Sequence, residues 1–508
     1  MKSFVKSIFL VSVLLSATTA CNDYLDINTD PNNPTTADIN LVLPSGQAFV
    51  SFVVGGQFNI LGGTLGQYWT PPKGGNQYRQ WDQYNINSST LDGNGGQFVA
   101  LYSGAMQDFQ NVITNGTAQN EWRMVGIAKI MKAYTFHILT DLYGDIPFTE
   151  ALDADKTVTP KYDKQKDIYA GIQALLDEGK ADIAKKQGRF PGQADLIYKA
   201  SSDADMEKWT RVANTIKLRS YIRLSQVDAA AAKTGVQALY SGQNEFIRSS
   251  ESFTFANSAN TNAENPFWQA VFRLPNNLTA SKTIGDLMTP VSDPRMPVFF
   301  LDADLSTPAL DYVFVPNGTL SGNTPDRTSY PGKWFIGQQF TNGTIRGTDA
   351  ASGVSTTDNN NARARSTIFL SYEESLFLRA EAAERGWAPA QEVAKTLYED
   401  AIKASMSRYG VAIGDFLSKV DYTKATNKIQ AIITQKYVAL FGTGGLEAYA
   451  EYRRTGFPAM PLPVTNITGG RYMKRLPYVD SELQRNPNVS QTGIAPGDVL
   501  TPVWWDVD

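Results

Sequence analysis

The amino-acid sequence predicts a mostly α-helical protein with a loop-rich layer, and three observations support this fold class. Apolar residues recur at helical spacing in several long stretches of the 508-residue chain. Two long segments, Gly55–Gly96 and 244–365, are instead rich in residues such as Asn, Gly, Ser, Thr and Pro that favour turns and loops. Hydrophobic residues make up 42% and charged residues 19% of the chain, so it can bury a substantial core.

Three helices in the first half of the chain show apolar stripes at a spacing of three to four residues. Their inward-facing residues are, in chain order, Tyr102, Met106, Phe109 and Ile113; Ile127, Met131, Tyr134 and Ile138; and Trp209, Val212 and Ile216. We expect these stripes to lie in the core rather than to bind a ligand.

Apolar stripes in the second half of the sequence predict further helices that pair as hairpins. One stripe, formed by Tyr372, Leu376, Ala380 and Ala383, ends near Gly386. Pro389 then suits the first turn of the next helix, whose inner face would hold Val393, Leu397 and Ala401. The small and aromatic residues of 394–401 suggest tetratricopeptide-like helix pairs, although no strict period predicts a regular solenoid.

A last helical pair covers Ile429–Phe441 and Leu446–Arg454, separated by Gly442–Gly445. The Gly-Thr-Gly-Gly run lacks the Gly-Lys-Ser/Thr of a phosphate-binding loop and follows a helix rather than a strand. It is therefore interpreted as a turn between two helices.

The amino terminus has the pattern of a secretory signal with a lipid attachment point. Lys2 and Lys6 precede the short apolar run Ile8–Leu15, and small residues lead to Cys21. We therefore predict a cleaved leader at 1–20, an acylated tether at 21–40 rich in Asn, Asp and Pro, and a folded region at 41–508, whose length alone suggests about three domains. The alternative is an ordinary signal that leaves a free thiol. No later stretch is interpreted as a membrane span, so lipid would be the only anchor.

Counts of reactive residues exclude several kinds of chemistry. Cys21 and His137 are the chain's single cysteine and single histidine, so a Cys–His pair, an HExxH zinc site and an intramolecular disulfide are excluded. The net charge of −4 leaves no basic footprint for nucleic acid. His137 is interpreted as structural, and Asp203, Asp205 and Glu207 as helix N-terminal charge rather than cation ligands. No metal and no cofactor are predicted.

The candidate ligand surface is aromatic and lies in the loop-rich segments. Flat rings among amide and charged side chains suit the apolar face of a sugar and its hydroxyls. The candidate residues are Tyr68, Trp69, Tyr78, Arg79, Trp81 and Tyr84 in the first segment, and Asn265, Trp268 and Trp334 in the second. The alternative is that these rings pack the interior, with Tyr68 and Trp69 as a satellite cluster under the loop.

Short strings spread over the chain together resemble the SusD/RagB family of outer-membrane lipoproteins. They are Asp141–Phe148, Asp195–Tyr198, Lys208–Arg219, Asp293–Pro297, Phe377–Ala383, Ile432–Tyr437, Glu447–Tyr449, Arg453–Gly456 and Val503–Asp506. The tether run Asp26–Asn32 resembles that of one subtype. This resemblance implies a single SusD-like domain with four tetratricopeptide-like helix hairpins packed against a loop-rich ligand layer. It also implies a partner, a SusC-like TonB-dependent transporter in the outer membrane, over which the protein acts as a lid.

These observations together predict a surface lipoprotein that binds oligomeric nutrients, most simply glycans, and is not an enzyme. One alternative is a peptide ligand, whose backbone groups Asn and Gln would bind. The other is a glycoside hydrolase, which needs two facing carboxylates and no histidine. Glu264 and Asp82 are the carboxylates to test for that activity, because both lie close to aromatic residues in the sequence.

Overall fold

Helices dominate the chain in the computed structural model, which describes residues 37–507 except 92–95, 154, 243–244, 274–276, 305, 307–308, 338, 342–343 and 347–355. Cys21, the predicted leader and most of the predicted tether lie outside the described residues. The α-helices are α1 Ile39–Gly55, α2 Gln57–Leu65, α3 Arg79–Asp82, α4 Gln97–Val99, α5 Gln107–Ala118, α6 Trp122–Tyr143, α7 Gln165–Ala184, α8 Asp203–Arg223, α9 Ala229–Ser241, α10 Pro266–Arg273, α11 Lys282–Met288, α12 Met296–Phe299, α13 Lys333–Ile336, α14 Thr356–Arg363, α15 Tyr372–Glu384, α16 Ala394–Arg408, α17 Phe416–Lys419, α18 Lys428–Ala439, α19 Gly445–Thr455 and α20 Asp480–Arg485.

Strands are short and form four two-stranded antiparallel pairs among the described residues. They are β1 Trp69–Thr70 with β5 Thr279–Ala280, β2 Ile146–Pro147 with β3 Tyr162–Asp163, β4 Phe253–Phe255 with β8 Thr367–Leu370, and β6 Gln339–Thr341 with β7 Thr344–Arg346. Pairing of β4 with β8 ties the start of the second loop-rich segment to the chain just before α15.

The predicted fold class is confirmed: the described chain is built mainly from helix hairpins. Successive helices pair as α6 with α7, α8 with α9, α15 with α16, and α18 with α19. The predicted stripes of α6 and α8 are buried, and the α18–α19 pair begins and ends within two residues of its predicted bounds. The Gly442–Gly445 turn is confirmed as a helix–helix connection.

Two glycines of the turn between α18 and α19 allow close packing that a larger residue would prevent. Gly442 has φ +69°, and a Cβ there would lie 2.4 Å from the ring of Phe335. A Cβ on Gly445 would lie 2.3 Å from the backbone nitrogen of Gly63, because α19 crosses α2 with the two backbones in contact. Only glycine allows this approach, which fixes α19 against the start of the first loop-rich segment.

Two local predictions were wrong. The helix expected to include Pro389 in its first turn begins at Ala394, and Val393 is its half-exposed N-cap residue rather than an inner one. The stripe expected from Tyr102 to Ile113 is interrupted, because Ala100–Met106 form a π-helical segment. A π turn widens the spacing between side chains, so only Met106 and Phe109 of that stripe are fully buried.

Residues Ile39–Leu65 form the one stretch of the described chain that is long and apolar enough to cross a membrane. The expectation of no such stretch after the leader was therefore wrong. Gly56 breaks it into α1 and α2, and 61% of its most apolar window is buried against the rest of the protein. We interpret it as a pair of core helices.

A network of buried charges joins the hairpins. Arg223 of α8 is fully buried and contacts Glu447 Oε2 and Glu451 Oε1, both at 2.5 Å, and Asp141 Oδ2 at 3.3 Å. Burial alone would raise the pKa of Glu451, but the neighbouring cations, led by Arg454, lower it to about 2. Glu447 and Glu451 therefore stay ionised in the interior, and both depend in part on Arg223 from a distant helix.

More pairs extend this network across α15, α18 and α19. Arg219 donates to Glu374 at 2.8 Å, Lys436 to Glu447 at 2.7 Å, and Arg454 to Glu381 at 2.7 Å. We call the nine residues Asp141, Arg219, Arg223, Glu374, Glu381, Lys436, Glu447, Glu451 and Arg454 the charge network.

His137 lies beside the charge network and is 1% exposed. Its Nε2 is 3.5 Å from the Tyr169 hydroxyl and 3.8 Å from Asp141 Oδ2. Burial lowers the pKa of His137 to about 4, and Asp141 opposes this shift only in part. The imidazole is therefore neutral at pH 7 and enclosed by the helices, which supports the structural interpretation.

Candidate functional site

The structure places six of the nine candidate residues in the interior: Tyr68, Trp69, Tyr78, Trp81, Tyr84 and Trp268. The Tyr68 hydroxyl donates to the Tyr437 carbonyl at 2.5 Å. The Trp69 ring lies 4.6 Å from that of Phe441 and 5.9 Å from that of Phe267, centroid to centroid. These rings fasten the first loop-rich segment to the helices, as the packing alternative expected; whether any of them contacts a ligand stays a prediction.

Arg79 and Asp82 hold the same loop in shape. Arg79 is half-buried and donates to three backbone carbonyls, those of Gly75, Pro72 and Thr319, the last at 2.6 Å. Asp82 is buried and accepts from Thr70 Oγ1 at 2.9 Å, from Gly318 N–H at 2.6 Å and from an Asn317 amide. Burial raises the pKa of Asp82 to about 6, although these hydrogen bonds oppose the shift.

Glu264, the other carboxylate considered for hydrolysis, is also engaged by neighbouring side chains. It accepts from Gln269 at 2.7 Å and pairs with Arg363 at 3.1 Å. Hydrogen bonds with these neighbours lower its pKa despite the opposing effect of desolvation. Both carboxylates thus serve the loop layer, and neither is an open acid aimed at a groove.

Asn265 and Trp334 come together at a cleft between the loop layer and the helices. The cleft is lined by Gly55, Asn59, Asn265, Phe267, Trp334, Phe335, Arg365, Ser366, Thr367, Ile368, Gly442 and Thr443. Asn265 caps α10 by accepting from Trp268 N–H at 3.0 Å, and its amide donates to the Arg365 carbonyl at 3.0 Å. We call this the Trp334 cleft; its cavity volume is about 20 Å³, within about 350 Å³ of empty space that includes open solvent.

An open groove elsewhere in the loop layer has the size of a ligand site. It measures about 620 Å³ and is lined by Asp286, Thr289, Pro290, Met296, Leu310, Tyr312 and Phe314. Such a volume lies within the usual range for sites that take small ligands. The rings of Tyr312 and Phe314 are half-exposed and nearly parallel, with centroids 6.2 Å apart and planes 22° apart. We call this the Tyr312 groove.

Sequence reasoning did not single out the Tyr312 groove. The run Asp311-Tyr312-Val313-Phe314-Val315 alternates large rings with valines, and this alternation is the signal in the sequence. Within the groove the Tyr312 hydroxyl accepts and donates no hydrogen bond among the described residues. Burial raises the pKa of Tyr312 to about 12, and the hydroxyl oxygen is enclosed by the protein, so the ring rather than the hydroxyl is what the groove presents.

A third cavity lies next to the charge network and is too small for a sugar. It measures about 50 Å³ and is lined in part by His137, Asp141, Arg219 and Glu374. This volume holds a few waters among polar groups, which suits hydration of a buried charge network. Three residues, Asn59, Ile368 and Thr443, line both this cavity and the Trp334 cleft.

Two of the three acids proposed as helix N-terminal charge occupy that position, whereas Glu207 lies beyond the first turn. Asp203 and Asp205 lie in the first turn of α8, whose N-cap residue Ser202 accepts from Asp205 N–H. Asp205 pairs with Lys208 at 2.9 Å and Asp203 with Arg123 at 3.0 Å. Among the residues that the structure describes, no group of three or more His, Cys, Asp or Glu side chains is arranged to hold a metal.

A scaffold of helix hairpins that supports a loop layer with an aromatic groove defines the class of SusD-like binding proteins. The chain belongs to the SusD-like family: the family model described as "Starch-binding associating with outer membrane" matches residues 57–478. No curated protein matches the sequence.

Solved structures with the same fold include several SusD homologues. A chitin-binding SusD homologue from Flavobacterium johnsoniae is 24% identical, with coverage of 92% of this chain and 99% of that one and a TM-score of 0.72. A SusD homologue from Bacteroides uniformis is 21% identical, with coverage of 93% and 100% and a TM-score of 0.73. A SusD/RagB family protein from Bacteroides thetaiotaomicron is 21% identical, with coverage of 93% and 99% and a TM-score of 0.72. At these identities the similarity establishes the fold.

Proposed function

We propose that this protein is a lipid-anchored glycan-binding protein of the outer membrane that delivers oligosaccharides to a SusC-like TonB-dependent transporter and does not hydrolyse them. The observation that carries the binding role is the Tyr312 groove, with two nearly parallel, half-exposed rings. The family description supports a glycan ligand, and the chitin-binding homologue supports an oligomeric one. The resemblance to SusD/RagB proteins supports the transporter as partner.

Ring stacking in the groove accounts for reversible capture. Each exposed face of Tyr312 or Phe314 that a sugar covers removes apolar surface from water and offers a flat ring for the sugar to stack on. A few such contacts, set against the costs of association, give affinities in the micromolar to millimolar range. Delivery to a transporter requires release, so this weak range suits the role.

Replacing Tyr312 and Phe314 together with alanine is expected to weaken oligosaccharide binding by about a hundredfold, at roughly tenfold per ring. The measurement is titration calorimetry of the purified protein with starch and chitin oligosaccharides, preceded by glycan-array and peptide-array screens that choose the probe. Tyr221→Ala is a matched control, because Tyr221 is also half-buried but lies on α8 of the scaffold.

Unchanged glycan affinity in a folded Tyr312→Ala/Phe314→Ala protein would disprove the groove as the glycan site. Binding only on the peptide array would replace the glycan by a peptide ligand. Release of shorter products from a bound oligosaccharide would show that the protein is a hydrolase.

The anchor and the partner have a separate test. Cys21→Ser is expected to move the protein from the outer-membrane fraction to the soluble fraction, because the acyl chains on Cys21 would be lost. Purification of the wild-type protein in mild detergent is expected to bring a TonB-dependent barrel with it. A Cys21→Ser protein that still fractionates with the membrane would disprove lipid as the main anchor. A wild-type protein that purifies without a barrel would disprove the partner.

A further inference from the structure

Arg365, in the wall of the Trp334 cleft, is a half-buried cation without a counter-charge. No hydrogen bond or ion pair joins its guanidinium to another residue of the described chain, and its Nε is buried without an acceptor. Desolvation lowers its pKa, and the ionisable neighbour that opposes this shift is Tyr409 rather than a carboxylate. An arginine remains charged under such a shift, so the site holds an unneutralised positive charge.

The position of this cation is fixed before any ligand arrives. Its Cζ lies 4.3 Å from the ring centroid of Trp334, which is itself held edge-to-face by Tyr409 at 4.9 Å. The Arg365 carbonyl accepts from the side-chain amides of Asn257 at 2.7 Å and of Asn265 at 3.0 Å. Ordering of the backbone and the side chain lowers the entropic cost of binding an anion.

A neighbouring arginine, Arg363, also lies over a tryptophan ring but is paired with an acid of the protein. Arg363 lies two residues earlier and its Cζ is 5.3 Å from the ring of Trp268. It pairs with Glu264 at 3.1 Å. Both arginines stand over a tryptophan of the loop layer, but only Arg363 has an acid beside it. Arg365 therefore differs from Arg363, which has an acid, and from Arg79, whose guanidinium bonds backbone carbonyls instead.

The cleft offers one further unsatisfied group. Asn59 donates through Nδ2 to the Gly442 carbonyl at 2.8 Å, while its Oδ1 accepts from no donor in the described chain. The site thus pairs a guanidinium that needs an anion with an acceptor that needs a hydroxyl or N–H. A carboxylate beside a hydroxyl, as in a uronic acid, supplies both groups. The cavity volume of about 20 Å³ is only slightly more than one water needs, so the cleft takes the carboxylate at most and the sugar ring stays at the mouth.

We propose that the Trp334 cleft binds the carboxylate of an acidic sugar, with the guanidinium of Arg365 as its counter-ion and the side-chain amides of Asn257 and Asn265 holding the backbone of that arginine in place. This inference rests on the proposed function, because it names the chemical class of the glycan. A planar carboxylate meets the guanidinium through two parallel hydrogen bonds, a geometry that a neutral hydroxymethyl or ester group cannot reproduce. The Trp334 ring keeps the guanidinium plane from turning away.

The test uses matched pairs of oligosaccharides that differ only in this group. Trimers of galacturonate, of glucuronate and of mannuronate are compared with their carboxyl-reduced neutral counterparts by calorimetry on the purified protein. We expect at least one acidic trimer to bind about 10- to 100-fold more tightly than its reduced form, as a charge-assisted hydrogen bond implies. This preference should shrink as the salt concentration rises.

Arg365→Gln is expected to abolish the preference while leaving affinity for the neutral trimers unchanged. Arg363→Gln, the matched control, is expected to keep the preference, since its charge is already balanced by Glu264. Arg365→Lys keeps the charge but not the two parallel donors, and we expect a preference of intermediate size. Circular dichroism of each variant verifies its fold. If Arg365→Gln is unstable, a reduced acid preference in Arg365→Lys tests the inference instead.

Each result decides between the inference and the proposed function. Equal binding of acidic and neutral trimers by wild type, or an acid preference that Arg365→Gln and Arg365→Lys both retain, would overturn the inference and leave the proposed function intact. Absence of binding to every glycan on the array would overturn both. Acid preference lost equally in Arg365→Gln and Arg363→Gln would show general surface charge rather than a site.

Discussion

Replacing Arg223 with methionine is expected to lower the free energy of unfolding by about 3–5 kcal/mol, the cost of removing one partner from a buried ion pair. The methionine fills much of the same space but leaves Glu447, Glu451 and Asp141 without the cation that they share. The small cavity beside these carboxylates holds only a few waters, which cannot replace the positive charge, so the carboxylates lose most of their compensation. Urea unfolding followed by circular dichroism measures the loss as a lower midpoint.

An exposed arginine provides the control for Arg223. Arg248 pairs with Glu245 at 2.5 Å, and both side chains are 55% exposed. Arg248→Met is expected to change the free energy of unfolding by no more than about 1 kcal/mol, because solvent screens exposed pairs. If Arg223→Met and Arg248→Met unfold at the same urea concentration, the charge network does not stabilise the fold as described.

Replacing Trp69 with alanine is expected to cost about 3–5 kcal/mol of folding free energy, as large-to-small changes of buried aromatic residues do. The indole is fully buried, packs against Phe441 and Phe267, and fills the space left by Gly63. Alanine would leave a cavity where the first loop-rich segment meets α2 and α19. Thermal and urea unfolding measure the loss.

Two further variants separate stability from ligand binding at this position. Phe52→Ala, at an aromatic residue that is 63% exposed, is expected to leave the unfolding midpoint close to that of wild type. Trp69→Phe retains much of the packed volume, so its glycan affinity is the measurement that bears on Trp69 as a binding residue. A Trp69→Ala protein as stable as wild type would contradict the buried packing.

Much of the helical scaffold could be predicted from the sequence because its signal is local. Residues such as Ile127, Met131 and Tyr134 repeat with the helical period, and glycines mark the ends of α15 and α18. The π-helical segment and the late start of α16 were missed, since they depend on contacts that the residue period does not encode.

The orientation of loop aromatic residues could not be predicted from composition. In a loop, Tyr68 and Tyr312 look alike, because neither lies in a periodic pattern that separates an inner from an outer face. Their environments are set by residues far along the chain: the Tyr68 hydroxyl meets the carbonyl of Tyr437, whereas Tyr312 lies at an open groove. The same holds for Arg365, whose isolation is visible only once the positions of all acids are known.

The charge network also has a consequence for the order in which the chain becomes folded. Asp141 and Arg223 belong to the first half of the sequence, whereas Lys436, Glu447 and Glu451 belong to its last fifth. On a chain synthesised from its amino terminus, the early hairpins would have to bury Arg223 with Asp141 alone, before its other partners Glu447 and Glu451 exist. Compaction of those hairpins is therefore disfavoured until the final helices emerge, which makes completion of the polypeptide a condition for its folding.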